Sequence, residues 1–127
     1  MHKLINPSTI TENLNYSHGV EITAPARWLE ISGQVGRDEE GNIPDGIEAQ
    51  AEIAMRNVSM VLAEAGMEMA DLVSTTVYLI NRADNEGFNR VRARWLNGTR
   101  PASTKVYISG LSSPRVLCEI QARAACA

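Results

Sequence analysis

Apolar positions recur along this chain with two different periods. Between 45 and 66, Ile47, Ala51, Ala54, Val58, Val61, Leu62 and Ala65 fall at offsets of 0, 4, 7, 11, 14, 15 and 18. That spacing is one stripe of a helix about five turns long. Asp45 is its predicted N-cap, with Glu48 three residues on as in a capping box, and Gly66 is its C′ stop. A second helix is predicted from Asp84, capped by that carboxylate, with Phe88, Val91, Trp95 and Leu96 inward and an end at Asn97-Gly98. Elsewhere the period is two. Residues 71–80 place Val73, Thr75, Val77 and Leu79 on one side of a strand.

Two further alternating runs close the chain. In residues 100–109, Thr104, Val106 and Ile108 oppose Ser103, Lys105, Tyr107 and Ser109; in 116–123, Val116, Cys118, Ile120 and Ala122 oppose Leu117, Glu119, Gln121 and Arg123. The oily sides are expected to cover a core, and the wet sides to carry the chemistry. Runs 16–23 and 27–32, on either side of Ala24-Pro25-Ala26, read as a hairpin, and residues 3–15 as a lead-in strand followed by a loop. Gly33 and Gly36, after the second run, allow positive φ or a close approach to the backbone.

The predicted order is strand, strand, helix, strand, helix, strand, strand, with a short strand before them. Two helical crossovers on one side of one sheet make a two-layer α/β sandwich whose other sheet face has no helix. Such a face calls for a second copy of the chain, with sites where subunits meet.

With 127 residues, 44% of them hydrophobic, the chain is a single domain, 1–127, with enough apolar material for a core. A formal charge of −3 and the lack of Lys/Arg blocks argue against nucleic acid as a partner. No apolar run reaches membrane length and no signal-peptide core follows Met1, so a cytoplasmic location is expected. Cys118 reads as a core residue and Cys126 as a free thiol; His2 and His18 have no metal-ligand spacing, and no cofactor motif is present. Arg90, Arg92 and Arg94 read as a solvated helix face, and Met60, Met67 and Met69 as packing at one helix end.

Taken together, Tyr16-Ser17, Ile31-Ser32-Gly33-Gln34, Ile47-Glu48-Ala49-Gln50, the 73–79 strand, Phe88-Asn89, Pro101-Ala102 and Cys118-Glu119-Ile120 resemble the RidA/YjgF family of enamine/imine deaminases over nearly the whole chain. The resemblance implies a chorismate-mutase-like α/β (α+β) fold with a mixed six-stranded sheet and two helices on one face. It also implies that the last strand inserts between the two middle strands, and that a homotrimer packs through the bare face with three intersubunit clefts.

For the cleft, the resemblance implies roles for Tyr16 and Glu119 in catalysis and for Gly33 and Asn89 in binding; Tyr107, sharing the Lys105 face, is a further candidate for substrate binding and otherwise an interface filler. The family's carboxylate-binding arginine follows the Pro-Ala pair, and here that position is Ser103. Lys105, two residues on and on the same face, can supply the lost charge; its other readings are an amine nucleophile or a solvated strand-edge lysine. Three functions follow: hydrolysis of an imine or related C–N bond in a small carboxylated or carbonyl metabolite, a non-catalytic ligand-binding or regulatory trimer, and, third, an endoribonuclease.

Overall fold

A computed structural model describes residues 2–11 and 13–127; the predicted 3–15 segment falls outside it at residue 12. Among the described residues six strands and two α-helices follow in the order β1 (His2–Ile5), β2 (Gly19–Ile22), β3 (Arg27–Val35), α1 (Ile47–Glu64), β4 (Leu72–Leu79), α2 (Asn85–Leu96), β5 (Ala102–Tyr107) and β6 (Cys118–Cys126). Strands 3 to 6 form a mixed sheet in the order β3-β6-β4-β5, with β4 and β5 parallel and β6 antiparallel to both its neighbours. The insertion of β6 beside β4 separates it from β5, so the two closing strands do not form a hairpin.

Both helices lie over one side of this sheet. Ala51, Ala54, Met55, Val58 and Leu62 of α1 and Phe88, Val91 and Leu96 of α2 pack with Ile31, Val77, Leu79, Cys118 and Ile120 into one core. The predicted stripe of α1 is therefore the one that faces the core, with Gln50 and Met55 added to it. Gln50 is 1% exposed and fully engaged: its Nε2 donates to the carbonyls of Pro44 and Arg115, and its Oε1 accepts from Leu117 N. A buried amide with every group paired fixes a single position for the helix. At the other end of α1, Gly66 has φ +72°, and its N–H and that of Met67 bond Ala63 O and Leu62 O, a Schellman stop that the glycine predicts.

Several expectations are corrected. Strands β2 and β3 are not a hairpin, because β2 pairs antiparallel with β1 in a separate two-stranded ribbon and β3 pairs with β6. The N-cap of α1 is Gly46, with φ +89°, not Asp45, and the Asp84 side chain makes no capping hydrogen bond to α2. Strand β3 continues past Ser32 to Val35 through a bulge between Ile31 and Gln34. Met67 is buried and Met69 packs on the core, but Met60 is an exposed side chain of α1. Both cysteines are free, Cys118 within the core.

The polarity of β5 is the instructive correction. Its oily side, Thr104 and Val106, points to the helix-free face and is exposed, while Ser103, Lys105 and Tyr107 are half-buried on the helix side. As an edge strand β5 has α2 lying over it, and α2 offers it polar groups to bond as well as apolar surface.

Candidate functional site

Strand β5 and helix α2 together build a cluster around position 105. In the parallel ladder Lys105 is level with Val77 and Ser103 with Thr75, so both side chains rise toward α2. Lys105 Nζ donates to Asn85 Oδ1 (2.5 Å) and Asn89 Oδ1 (2.6 Å), one helical turn apart. It also stands 5.7 Å from the centre of the Phe88 ring. Desolvation there, and secondarily the charge of Arg92, lower the Lys105 amine from 10.5 to about 8.

Arg92 is the residue that the solvated-face reading missed. It is only 6% exposed, and it donates from Nη1 to Ser103 Oγ (3.2 Å) and from Nη2 to Asn89 Oδ1 (3.1 Å). Arg90 and Arg94 do face solvent, paired with Glu48 and Glu52 of α1. The spacing from Phe88 to Arg92, one turn along the inward face, was the available signal.

The remaining wall comes from the N-terminal segment. Arg100 Nη2 donates to Asn13 O (2.6 Å) and Tyr16 O (3.2 Å), and Ser17 N to Pro101 O (3.1 Å), tying that segment to the start of β5. A cavity of about 270 Å³ results, lined by Asn13, Asn15 and Tyr16 on one side and by Asn85, Asn89, Arg92, Ser103 and Lys105 on the other. Two cations and five neutral polar side chains surround it with one phenol; no described carboxylate lines it.

Gly33 and Glu119 are elsewhere. A Cβ on Gly33 would lie 2.6 Å from Glu119 Cδ, so the carboxylate rests against bare backbone. Glu119 is level with Tyr78 in the antiparallel ladder and points to the helix-free face, opposite to Lys105. Within one chain the structure thus brings Tyr16, Asn89, Ser103 and Lys105 to one cavity and pairs Gly33 with Glu119 on the other side of the sheet. Tyr107 lines neither, and carries Arg82 over its ring at 4.5 Å. Among the described residues no three His, Cys, Asp or Glu side chains come together to hold a metal ion, and no helix is long and apolar enough to cross a membrane.

Residues 7–126 match the sequence profile of the family described as Endoribonuclease L-PSP. The chain belongs to that family, the Rid/YjgF proteins. Among Rid relatives, a 2-iminobutanoate/2-iminopropanoate deaminase of Mus musculus is 31% identical over 76% of this chain and 70% of its own. The fold of a conserved Rid protein, YyfB from Yersinia pestis, matches with a TM-score of 0.89 at 29% identity over 98% of both chains. E. coli TdcF with bound serine matches at 0.76 and 26%, over 98% of this chain and 99% of its own. The Rid fold accounts for the sandwich and for the placement of β6.

Proposed function

We propose that this Rid-family chain is a hydrolase that removes the nitrogen of an imine, enamine or related C–N bond from a small carboxylated metabolite. The observation that carries the reading is the cavity between α2 and β5, where Lys105 has only amide oxygens for partners and no described carboxylate balances it. A ligand carboxylate supplies the absent charge. Relatives support the class: one is named as an iminobutanoate/iminopropanoate deaminase, and another holds serine, itself a small amino acid.

The reaction adds water across the carbon–nitrogen double bond and expels ammonia, leaving a 2-oxo acid. It needs a carboxylate to orient the water and pass its proton to nitrogen. Glu119 has that role in this reading, with Tyr16 and Asn89 shaping the pocket, Ser103 lining it and Gly33 giving the carboxylate room. Because Glu119 and Lys105 lie on opposite faces of one sheet, the assignment requires a homotrimer packed through the helix-free faces, so that Glu119 of one subunit reaches the cavity of the next. Arg90 and Arg94 are already paired with Glu48 and Glu52, which leaves the exposed face of the helix little free charge for an RNA backbone.

Ammonia release from 2-iminopropanoate generated in solution tests the proposal. The wild type should outpace the spontaneous reaction, and Glu119→Gln should cut the accelerated rate by about 10²- to 10⁴-fold. A wild type no faster than buffer would make the molecule a non-catalytic ligand-binding or regulatory protein instead.

A further inference from the structure

We propose that Arg92, reaching in from α2 and held by Ser103, is the group that recognises the substrate carboxylate, with Ser103 as its positioning residue. The inference deepens the hydrolase reading by assigning the specificity of its pocket to a helix arginine, and it rests on that reading only for the identity of the ligand.

A guanidinium carries five N–H donors in a planar fork. Arg92 spends two, on Ser103 Oγ and Asn89 Oδ1, both neutral acceptors. Its charge is otherwise met only by the face of Phe88, 5.7 Å away, and no described carboxylate pairs with it. A buried cation without a counter-ion is costly, and burial indeed opposes the charge of this one. Here the side chain lines an open cavity, so an incoming anion can supply the missing partner.

The neighbouring groups converge on the same place. Ser103 Oγ accepts from Thr75 Oγ1 (3.2 Å) as well as from Arg92, which leaves its own proton to donate into the cavity it lines. Asn89 Oδ1 accepts from Arg92 and from Lys105 at once, so two cations are held about one neutral oxygen. One carboxylate between them relieves their repulsion and takes bonds from both. The small Ser103 side chain is what makes room for Arg92, and a long cation at 103 would compete for the same space.

The ligand class is accordingly the small 2-oxo or 2-imino monocarboxylates, and titration calorimetry with 2-oxobutanoate reads the proposal without turnover. The wild type should bind it. Arg92→Gln should weaken binding by about ten- to a hundredfold, the loss expected for a charge-assisted hydrogen-bonded contact. Arg92→Lys, which keeps the charge and loses the fork, should fall between. The double variant Arg92→Gln with Ser103→Arg, which moves the guanidinium from helix to strand, should recover most of the affinity, a result that a purely structural Arg92 would not give. Unchanged affinity in folded Arg92→Gln or Arg92→Lys, or a wild type that does not bind 2-oxobutanoate, would overturn the proposal. Should Arg92→Gln fail to fold, Arg92→Lys and the double variant decide. Binding through Arg92 without ammonia release would remove the hydrolase and leave the clamp; ammonia release that survives in Arg92→Gln would do the reverse.

Discussion

The two faces of the four-stranded sheet are made from the same alternating strands and have opposite characters. Under the helices, Val77, Leu79, Cys118 and Ile120 are fully or nearly fully buried, Lys105 and Ser103 are bonded to side chains of α2, and Thr75 is bonded to Ser103. On the other face Tyr78 bonds Gln121 at 3.1 Å and Arg123 pairs with Glu30 at 2.7 Å, both in the open. The covered face is a fixed core with a pocket let into its edge. The bare face is largely polar, with apolar Trp28 and Val106 exposed on its two outer strands, and is suited to meeting another copy of the chain.

Two glycines of β3 and its exit test that difference most sharply. A Cβ on Gly36 would lie 2.5 Å from Gln50 Cα and 2.7 Å from Gln50 O, backbone of a helix whose amide anchor cannot give way. Gly36→Ala should cost about 3 kcal/mol, lowering the melting temperature by about 10 °C. A Cβ on Gly33 meets only the end of the Glu119 side chain, which can swing aside. Gly33→Ala should therefore cost under about 1 kcal/mol while displacing the carboxylate, so that ammonia release falls far more than stability. Equal melting losses for the two variants would mean that the bare face is as tightly packed as the covered one.

Association comes next in size. Tyr78→Arg places a charge at the middle of the helix-free face, away from both helices. Light scattering should show the wild type as a trimer at micromolar concentration and the variant as a monomer, with the fold itself changed by no more than about 0.5 kcal/mol. A monomeric wild type would leave Glu119 and Lys105 permanently apart.

The sequence made the covered face legible and the pocket only half so. The Gly66 stop follows from the positive φ that glycine allows, and the stripe of α1 and the alternation of β4 from one rule, that burial of apolar area dominates wherever a whole element faces the core. The rule fails at β5. There alternation still marks two sides, but Val106 takes the outer one, because Lys105 and Ser103 gain hydrogen bonds from α2 that solvent-facing positions would not give them. Gly46 at the N-cap of α1, in place of Asp45, is a local backbone choice with the same lesson: φ +89° suits glycine, and the neighbouring carboxylate caps nothing. Arg92 reads as part of the solvated face because charge on a helix is usually solvated, and its 6% exposure and bonds to Ser103 and Asn89 show that this one turns inward.

The smallest effect concerns the amine of Lys105. In the unfolded chain it keeps its proton up to about 10.5, and in the folded protein, with burial the main cause and Arg92 the second, only up to about 8. Between those values the unfolded state binds more protons, so the contribution of this position to stability is least favourable below pH 8 and improves as pH rises toward 10. Cys118 works the other way, since burial chiefly, then Asp84 and Glu119, push its thiol from 9.0 to about 12, and the fold loses stability above pH 9 on its account. Wild-type melting alone would blur the two. Lys105→Met removes the amine and keeps the thiol, so the difference in melting temperature between wild type and variant isolates the lysine. The wild type should gain on Lys105→Met by a degree or two between pH 8 and 10, a modest amount because the side chain is only half-buried and water screens part of the effect. A difference that stays flat across that range would mean that Nζ is solvated like any strand-edge lysine, and the edge of the covered face would then be no different from the bare one.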